Sequence, residues 1–464
     1  MESLPRNVVF DPALIRKYGG RGPRYTSYPT ALQFDPAFDE SAYRRHAITS
    51  NQTDRALSLY VHIPFCESLC YYCACNKIVT RNQERVQKYL RHLKHEIDLV
   101  APMYRRKRVV EQLHFGGGTP TYLDAPTLQE LMTWLRDAFS LDDSECREFS
   151  IEVDPRTVDS ARMVELSDLG FNRISLGVQD FDLRVQRAVN RLQSVDDVAG
   201  LMDDARSNGF RSVSFDLIYG LPHQTVGSFD QTLDAVIGMR PDRLAVYNYA
   251  HLPQRFKGQR MINERDMPAA DTKLDILRHT IETLVDAGYV YIGMDHFALP
   301  GDELVKAQDN GTLRRNFQGY STHCGTDLVG LGVSAIGNVD NAYIQNTTST
   351  TEYETLLDKG QLPVVRGLSV DEDDQARADI IRRLMCYDRL EFHDVEVAHG
   401  LSFSDRFASE LKQLKALEDD GLVAVDDQEI RVTPSGRLLL RSIAMVFDRH
   451  LASTENDGRF SKAI

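Results

Sequence analysis

The stretch Leu57-Ser-Leu-Tyr-Val-His-Ile63, followed by Pro64-Phe-Cys66-x3-Cys70-x2-Cys73-x-Cys75, decides how the rest of the chain is read. Its apolar side chains alternate at period two, which predicts a β-strand. Four thiols follow within ten residues. Outward from this strand, apolar positions recur at helical spacing at Val86, Tyr89, Leu90, Leu93, Ile97 and Val100. A second strand is predicted at Gln112-Leu-His-Phe115, ending in Gly116-Gly-Gly118, with others at 149–153, 173–178, 213–219 and 244–249. Helical segments near 126–139, 159–169, 182–190, 196–208 and 226–238 separate them. A serial βα repeat implies a parallel sheet with right-handed crossovers. Six units fall short of the eight of a closed barrel, so the expected fold class is α/β, a partial TIM-like (βα)6 barrel. Tyr60, the glycines at 116–118, Glu152, Gln179, Asp216 and Asn248 lie at or just past the ends of these strands. In a parallel barrel that is the face where chemistry is assembled.

The expected organisation is an N-terminal extension over 1–54 that wraps the barrel, the barrel over 55–345, and a C-terminal domain over 346–464. Ser369-Val-Asp-Glu372 reads as a capping box that opens a helix through Met385. Helix, strand, strand and helix then follow from Phe407 onward, which suggests a mainly helical, winged-helix-like domain. Such a domain has a DNA-binding use, but its acidic local charge favours a packing or lid module.

The chain has 464 residues, a formal net charge of −14 and seven cysteines. The acidic balance argues against nucleic acid and anionic membranes as partners, and no run approaches the roughly 20 apolar residues of a membrane span. A local basic pocket stays compatible with that balance, because salt screens charge beyond roughly 8 Å. The reading is cytoplasmic, where thiols stay reduced. Zinc sites usually close a tetrahedron from two separated Cys or Cys/His pairs, and no second Cys-x2-Cys knuckle follows here. An iron-sulfur cluster is larger, and three thiolates on one loop hold three of its irons and leave the fourth open. Cys146, Cys324 and Cys386 read as small buried hydrophobes.

The x3-x2 spacing after a first strand resembles the cluster loop of the radical S-adenosylmethionine (SAM) superfamily. The extra Cys75 resembles a narrower group, the oxygen-independent coproporphyrinogen III oxidases (dehydrogenases) and their haem-chaperone relatives. The likeness extends through Tyr60–Cys66, His114–Thr121, Ile151–Pro155, Ser175–Phe181, Val189–Gln193, Asp216–Pro222 and Gly293–Ala298, nearly the whole chain. Arg24-Tyr-Thr-Ser-Tyr-Pro-Thr30 and Arg315-Asn-Phe-Gln-Gly-Tyr-Ser-Thr322 resemble the oxidases themselves.

That resemblance implies a radical SAM partial barrel with a 4Fe-4S cluster on Cys66, Cys70 and Cys73, and Cys75 outside the ligand set. It implies SAM contacts from Tyr60, Tyr72, Gly117, Gly118, Thr119, Glu152, Gln179, Arg191 and Asp216, with Ala250 and Ile336 carried at less weight, and two SAM molecules side by side. For the glycine run, a tight βα turn without a ligand is the commoner use taken alone. The implied activity is oxidative decarboxylation of coproporphyrinogen III to protoporphyrinogen IX in haem and porphyrin biosynthesis. A 5′-deoxyadenosyl radical attacks the propionates of rings A and B, under anaerobic conditions, and no side chain is catalytic beyond the cluster and SAM. A substrate with four propionates calls for guanidinium groups, and Arg24, Arg255, Arg260, Arg314 and Arg315 are the candidates, while Lys257 reads as a solvated charge. The enzyme is expected to be a monomer served by an electron donor that the sequence does not identify. The alternative is a haem-binding chaperone of the same superfamily, from which the 24–30 segment and the Asn190-Arg191 context separate this chain. A weaker third is a radical SAM enzyme with another substrate. His62 reads either as a hydrogen-bonder of cluster or SAM or as a satisfied core histidine; His114 and His296 read as packing residues.

Overall fold

The computed structural model describes residues 8–323 and 325–451, and the reading of Cys324 lies outside them. Two compact units emerge. One comprises 34–276 and 325–369, the other 8–33, 277–323 and 370–451 as far as described.

The first unit is built on one sheet. Its principal strands are β1 (Leu57–Ile63), β2 (Val109–Gly117), β3 (Glu148–Val153), β4 (Arg173–Gln179), β5 (Ser212–Tyr219), β6 (Arg243–Asn248), β7 (Asp327–Leu331), β8 (Ile336–Val339), β9 (Ala342–Asn346) and β10 (Val364–Ser369), with the two-residue strand Ser140–Leu141 paired to β2. Their order is β6-β5-β4-β3-β2-β1-β7-β8-β9-β10, on a path that does not close on itself. β1 to β7 pair in parallel, and β8 to β10 add on antiparallel. The side chains of β1 are buried on both faces apart from Tyr60, as a central parallel strand requires.

All six predicted strands and the helices between them are present. Asn82, Asp124, Asp159, Ser194 and Thr225 cap the helices by accepting from backbone N–H groups of the first turn. The predicted stripe on Gln83–Val100 is buried, together with His92 and Glu96. The sequence reading missed β7 and the antiparallel tail. β7 has five residues and contains Gly330, whose absent Cβ would lie 2.9 Å from the Ile336 carbonyl carbon, so close pairing here depends on a residue with weak strand preference.

The second unit centres on the helix Glu372–Tyr387. Asp371 caps it by accepting from Asp374 N at 2.8 Å. This corrects the expected Ser369 box: Ser369 ends β10, where its hydroxyl bonds His46. The helix Ala408–Asp419, strands Val423–Val425 and Glu429–Val432 and the short helix Leu440–Ala444 follow in the predicted order, with Arg389–Glu391 as third strand. Phe392 stacks on Phe403 at 4.1 Å in a core shared by Ile380, Leu384, Phe407 and Phe447. Tyr25 and Tyr28 join that core. Cys386 is buried as expected; Cys146 is exposed, a correction, because it sits in the polar turn between strand pairings. Among the described residues no helix is long and apolar enough to cross a membrane.

Candidate functional site

The cysteine loop springs from the end of β1 and returns to it. Ile78 N donates to Pro64 O at 2.6 Å and Thr80 N to Cys66 O at 3.2 Å, so both ends of the loop are tied together. Tyr71 N to Val189 O at 3.0 Å and Asn190 Nδ2 to Leu69 O at 2.8 Å fix its middle. Cys66 and Cys70 are buried, Cys73 is half-buried and Cys75 exposed. The sulfurs differ in company. Cys66 Sγ accepts from Thr119 Oγ1 at 3.5 Å, and burial pushes its thiol up to about 11. Cys70 Sγ accepts from Arg156 Nη2 at 3.3 Å and Arg191 Nη1 at 3.4 Å. A hydrogen bond from Cys75, with Lys77 nearby, holds the Cys73 thiol down to about 6.

Among the described residues no three His, Cys, Asp or Glu side chains converge on a single-ion site. A cluster asks for something else, since each thiolate binds a different iron. The donor set fits such a group: three thiols on one pinned loop, with cationic N–H donors already directed at one sulfur, as the sulfurs of a bound cluster accept hydrogen bonds.

Beside the loop, adjacent strands bring their polar residues together. Tyr60 is in register with His114, His114 with Ser150, Glu152 with Ser175, and Gly177 with Asp216. Tyr60 stacks on His114 at 5.8 Å, and His114 Nε2 meets Glu152 Oε1 at 3.2 Å. His114 thus does more than pack, which corrects the sequence reading. Glu152 lies deep enough that burial alone would raise its carboxyl, although 44% of its side chain is accessible. The His114 contact and the N–H of Gly117, donating to Oε2 at 3.1 Å, hold it below its ordinary value instead. His62 Nε2 donates to Asn76 O at 3.0 Å, so its Nδ1 accepts the Tyr60 hydroxyl at 3.1 Å; burial keeps the ring neutral by lowering its pKa. It is a satisfied histidine.

A Cβ on Gly117, where φ is +118°, would lie 2.6 Å from the His62 ring, and one on Gly118 would lie 2.7 Å from the Pro64 carbonyl carbon. The run lets β2 cross the base of the cysteine loop. Thr119 N then donates to Phe65 O at 2.8 Å. Gln179 and Arg191 converge over Gly177, whose absent Cβ would lie 2.8 and 2.9 Å from their nitrogens. Arg191 also pairs with Asp154 Oδ2 at 2.9 Å. Asp216 accepts from Ser175 Oγ at 3.1 Å; burial first, then the charge of Glu152, pushes it up to about 7.

Gln259, 1% exposed, donates to Tyr72 O at 3.0 Å and Ala250 O at 3.1 Å, so those two predicted positions are held by one amide. Ile336 stands where β8 starts, beside Gly330, which is in register with Tyr60. The candidate arginines divide. Arg255 and Arg260 are exposed on the loop after Ala250, with Arg255 beside Phe256 and Arg260 Nε on Pro253 O at 3.0 Å. In the other unit Arg24 pairs with Asp295, Arg315 lies 4.8 Å from the Tyr320 ring centre with Nε 3.4 Å from Arg24 O, and Arg314 donates to the Tyr387 hydroxyl at 2.6 Å. His296 meets Tyr320 edge-on at 5.2 Å. The sequence reading overlooked Asp154, Arg156 and Gln259. Asp154 directly follows β3, so the strand-end rule that picked Glu152 points to it as well.

The family model for the radical SAM superfamily matches residues 60–236, and that for the HemN C-terminal domain matches 370–439. An oxygen-independent coproporphyrinogen III oxidase of Pseudomonas aeruginosa is 51% identical over 98% of this chain and 99% of its own length. One of Escherichia coli is 48% identical over 99% of each. A solved structure of the coproporphyrinogen III oxidase of Escherichia coli, described as a radical SAM enzyme, matches with a TM-score of 0.91 at 48% identity, covering 96% of this chain and 100% of that one.

Proposed function

The chain belongs to the oxygen-independent coproporphyrinogen III oxidases of the radical SAM superfamily, and on that premise we propose how its own residues carry the reaction. It is an oxidoreductase of porphyrin and haem biosynthesis that acts on coproporphyrinogen III, with a 4Fe-4S cluster and SAM as cofactors. When bound, the cluster and SAM would supply the one-electron chemistry, through a 5′-deoxyadenosyl radical, that opens a propionate β-C–H bond of the substrate. In all, each propionate would give up a hydrogen atom, CO2 and one electron, the electron passing to a separate acceptor, to leave a vinyl group on rings A and B in turn.

Cys66, Cys70 and Cys73 hold the cluster, and Cys75 stays outside the ligand set. Glu152 and Asp216 accept ribose hydroxyls, for which carboxylate oxygens are suited. Gln179, Arg191 and the Gly117-Gly118-Thr119 backbone take the polar ends of SAM; Tyr60, Tyr72, Ala250 and Ile336 border it. Two SAM molecules give this many contacts a use. Arg255 and Arg260, and Arg24, Arg314 and Arg315, are the groups that recognise propionates. No side chain serves as acid or base; the residues bind, orient and exclude water. The enzyme acts as a monomer in the cytoplasm, reduced by a separate donor.

The observation that carries this assignment is the pinned loop after β1, with its buried Cys70 sulfur already receiving two guanidinium N–H groups. The haem-chaperone alternative finds less support, because the relatives matched end to end are named oxidases. The test is anaerobic cluster reconstitution, then reductant, SAM and coproporphyrinogen III, following vinyl product and 5′-deoxyadenosine. Both are expected. Stoichiometric haem binding without porphyrinogen turnover overturns the proposal, as does SAM cleavage that survives substitution of Cys66, Cys70 and Cys73.

A further inference from the structure

Resting on the assignment of the cluster to Cys66, Cys70 and Cys73, we propose that Arg156 is a positioning residue that raises the reduction potential of the cluster through the Cys70 sulfur.

The three sulfurs are not equivalent. Cys66 receives a neutral hydroxyl from Thr119 at 3.5 Å, whereas Cys70 receives two guanidinium N–H groups at 3.3 and 3.4 Å. Their aim is set by one carboxylate. Asp154 accepts from Arg156 Nη2 at 2.6 Å and Nε at 3.0 Å, and from Arg191 Nη1 at 2.9 Å. A two-point carboxylate contact fixes a guanidinium plane, so the N–H directed at the sulfur is held in place rather than rotating into water. Arg156 is held at its backbone too, where its N donates to Asp154 Oδ1 at 3.1 Å. Two cations against one anion leave net positive charge beside a single cluster ligand.

Reduction adds negative charge to a cluster and its thiolates. Hydrogen bonds to the sulfurs and nearby positive charge therefore favour the reduced state and raise the potential. Arg191 is assigned above to SAM as well, so its donors are shared with a ligand that comes and goes. Arg156 has no such second task. Its further contact is with Asn190 O at 3.4 Å, on the same stretch that holds the loop. It is the donor that stays on Cys70 through turnover. Its side chain is 22% exposed, which puts it at the rim, where screening moderates its charge.

The test uses the full-length chain, reconstituted anaerobically without SAM, with iron counted and the cluster titrated against potential by electron paramagnetic resonance. Arg156→Met keeps the aliphatic stem and removes charge and donors, while Asp154 keeps Arg191 as a partner. The expected result is full iron content with about a tenfold smaller equilibrium constant for one-electron reduction, a downshift of about 59 mV. Arg156→Lys, which keeps charge but loses the fork, is expected between that variant and the unmodified chain. Full iron with unchanged potential in Arg156→Met overturns the proposal. If Arg156→Met takes up no cluster, Arg156→Lys is judged by the same criterion. Loss of iron from both also overturns it, since Arg156 then holds the loop instead of setting the potential. Failure of the unmodified chain to take up a cluster would instead break the ligand assignment beneath it.

Discussion

Glu96 lies on the helix Gln83–Val100 and Asp216 on β5, and burial pushes each carboxyl up to about 7. Their surroundings differ. Glu96 accepts from the Tyr353 hydroxyl at 2.5 Å, Asn346 Nδ2 at 2.6 Å and Gly332 N at 2.7 Å, so both oxygens are committed to joining the turn after β7, the end of β9 and the helix Thr350–Asp358. Asp216 accepts one side-chain hydrogen bond, from Ser175, and faces a second carboxylate, Glu152. A carboxyl oxygen takes two hydrogen bonds. Asp216 thus retains acceptor capacity where Glu96 has little. Glu96 is buried and Asp216 half-buried, and their unequal satisfaction separates a residue that builds the sheet from one kept for a ligand.

The largest effects come from breaking the mouth outright. Serine at Cys66, Cys70 or Cys73 is expected to abolish the cluster absorbance and all measurable porphyrinogen turnover. Serine at Cys75, exposed beside them, is expected to leave the iron content unchanged. Iron analysis of the four variants decides it, and iron loss on changing Cys75 would move that residue into the ligand set.

Next come the two carboxyls. Asp216→Asn is expected to weaken SAM binding roughly 10- to 100-fold, the range of a hydrogen bond to a charged group. Glu96→Gln is expected to change it less than about twofold, because Glu96 points its acceptors at protein donors. Equilibrium binding of SAM to the reconstituted chain measures both. Equal losses would erase the distinction.

Stability should order them the other way. A carboxyl whose folded pKa is raised contributes most below its unfolded value near 4, and that contribution is lost as pH climbs through about 7. Asp216→Asn removes the charge and keeps an acceptor for Ser175, so it should stabilise the cluster-free chain at pH 8 by on the order of 1–2 kcal/mol, and less at pH 5. Glu96→Gln keeps one acceptor oxygen but turns an NH2 group toward at least one of the three donors, and should cost roughly 1–3 kcal/mol despite the lost charge. Urea unfolding at the two pH values reads both signs.

The same contrast shows what the sequence made legible. Asp216 is found by a rule, because a polar residue at the end of an apolar parallel strand stands on the chemical face. Glu96 also gave a signal, three residues after Leu93 on the apolar stripe, but its partners come from beyond residue 330, and sequence spacing does not bring them near. Arg156 was hidden for the same reason: its position beside Cys70 depends on β3 ending next to the cysteine loop. The expected Ser369 cap failed on local grounds. The pattern was there, but β10 runs through Ser369, and Asp371 stands at the residue where the chain turns helical. The expected domain bounds at residues 54 and 345 remain a proposal; the compact units exchange chain after Gln33, after Ile276 and after Ser369, with 325–369 belonging to the first unit.

The smallest expected effect lies at the rim. Arg255 and Arg260 are exposed, and the described contact of the Arg260 guanidinium is a backbone carbonyl, Pro253 O, which leaves its charge uncompensated by that bond. An exposed ion pair with a propionate contributes about 0.2–1 kcal/mol and is screened by salt. Arg260→Gln should therefore raise KM for coproporphyrinogen III up to about fivefold at low salt, leave kcat unchanged, and lose most of its effect near 0.5 M salt. A change in kcat would place Arg260 in orienting the propionate during reaction rather than in capturing it. That outcome would extend the mouth, now marked by acceptors such as Asp216, to a cation at its rim.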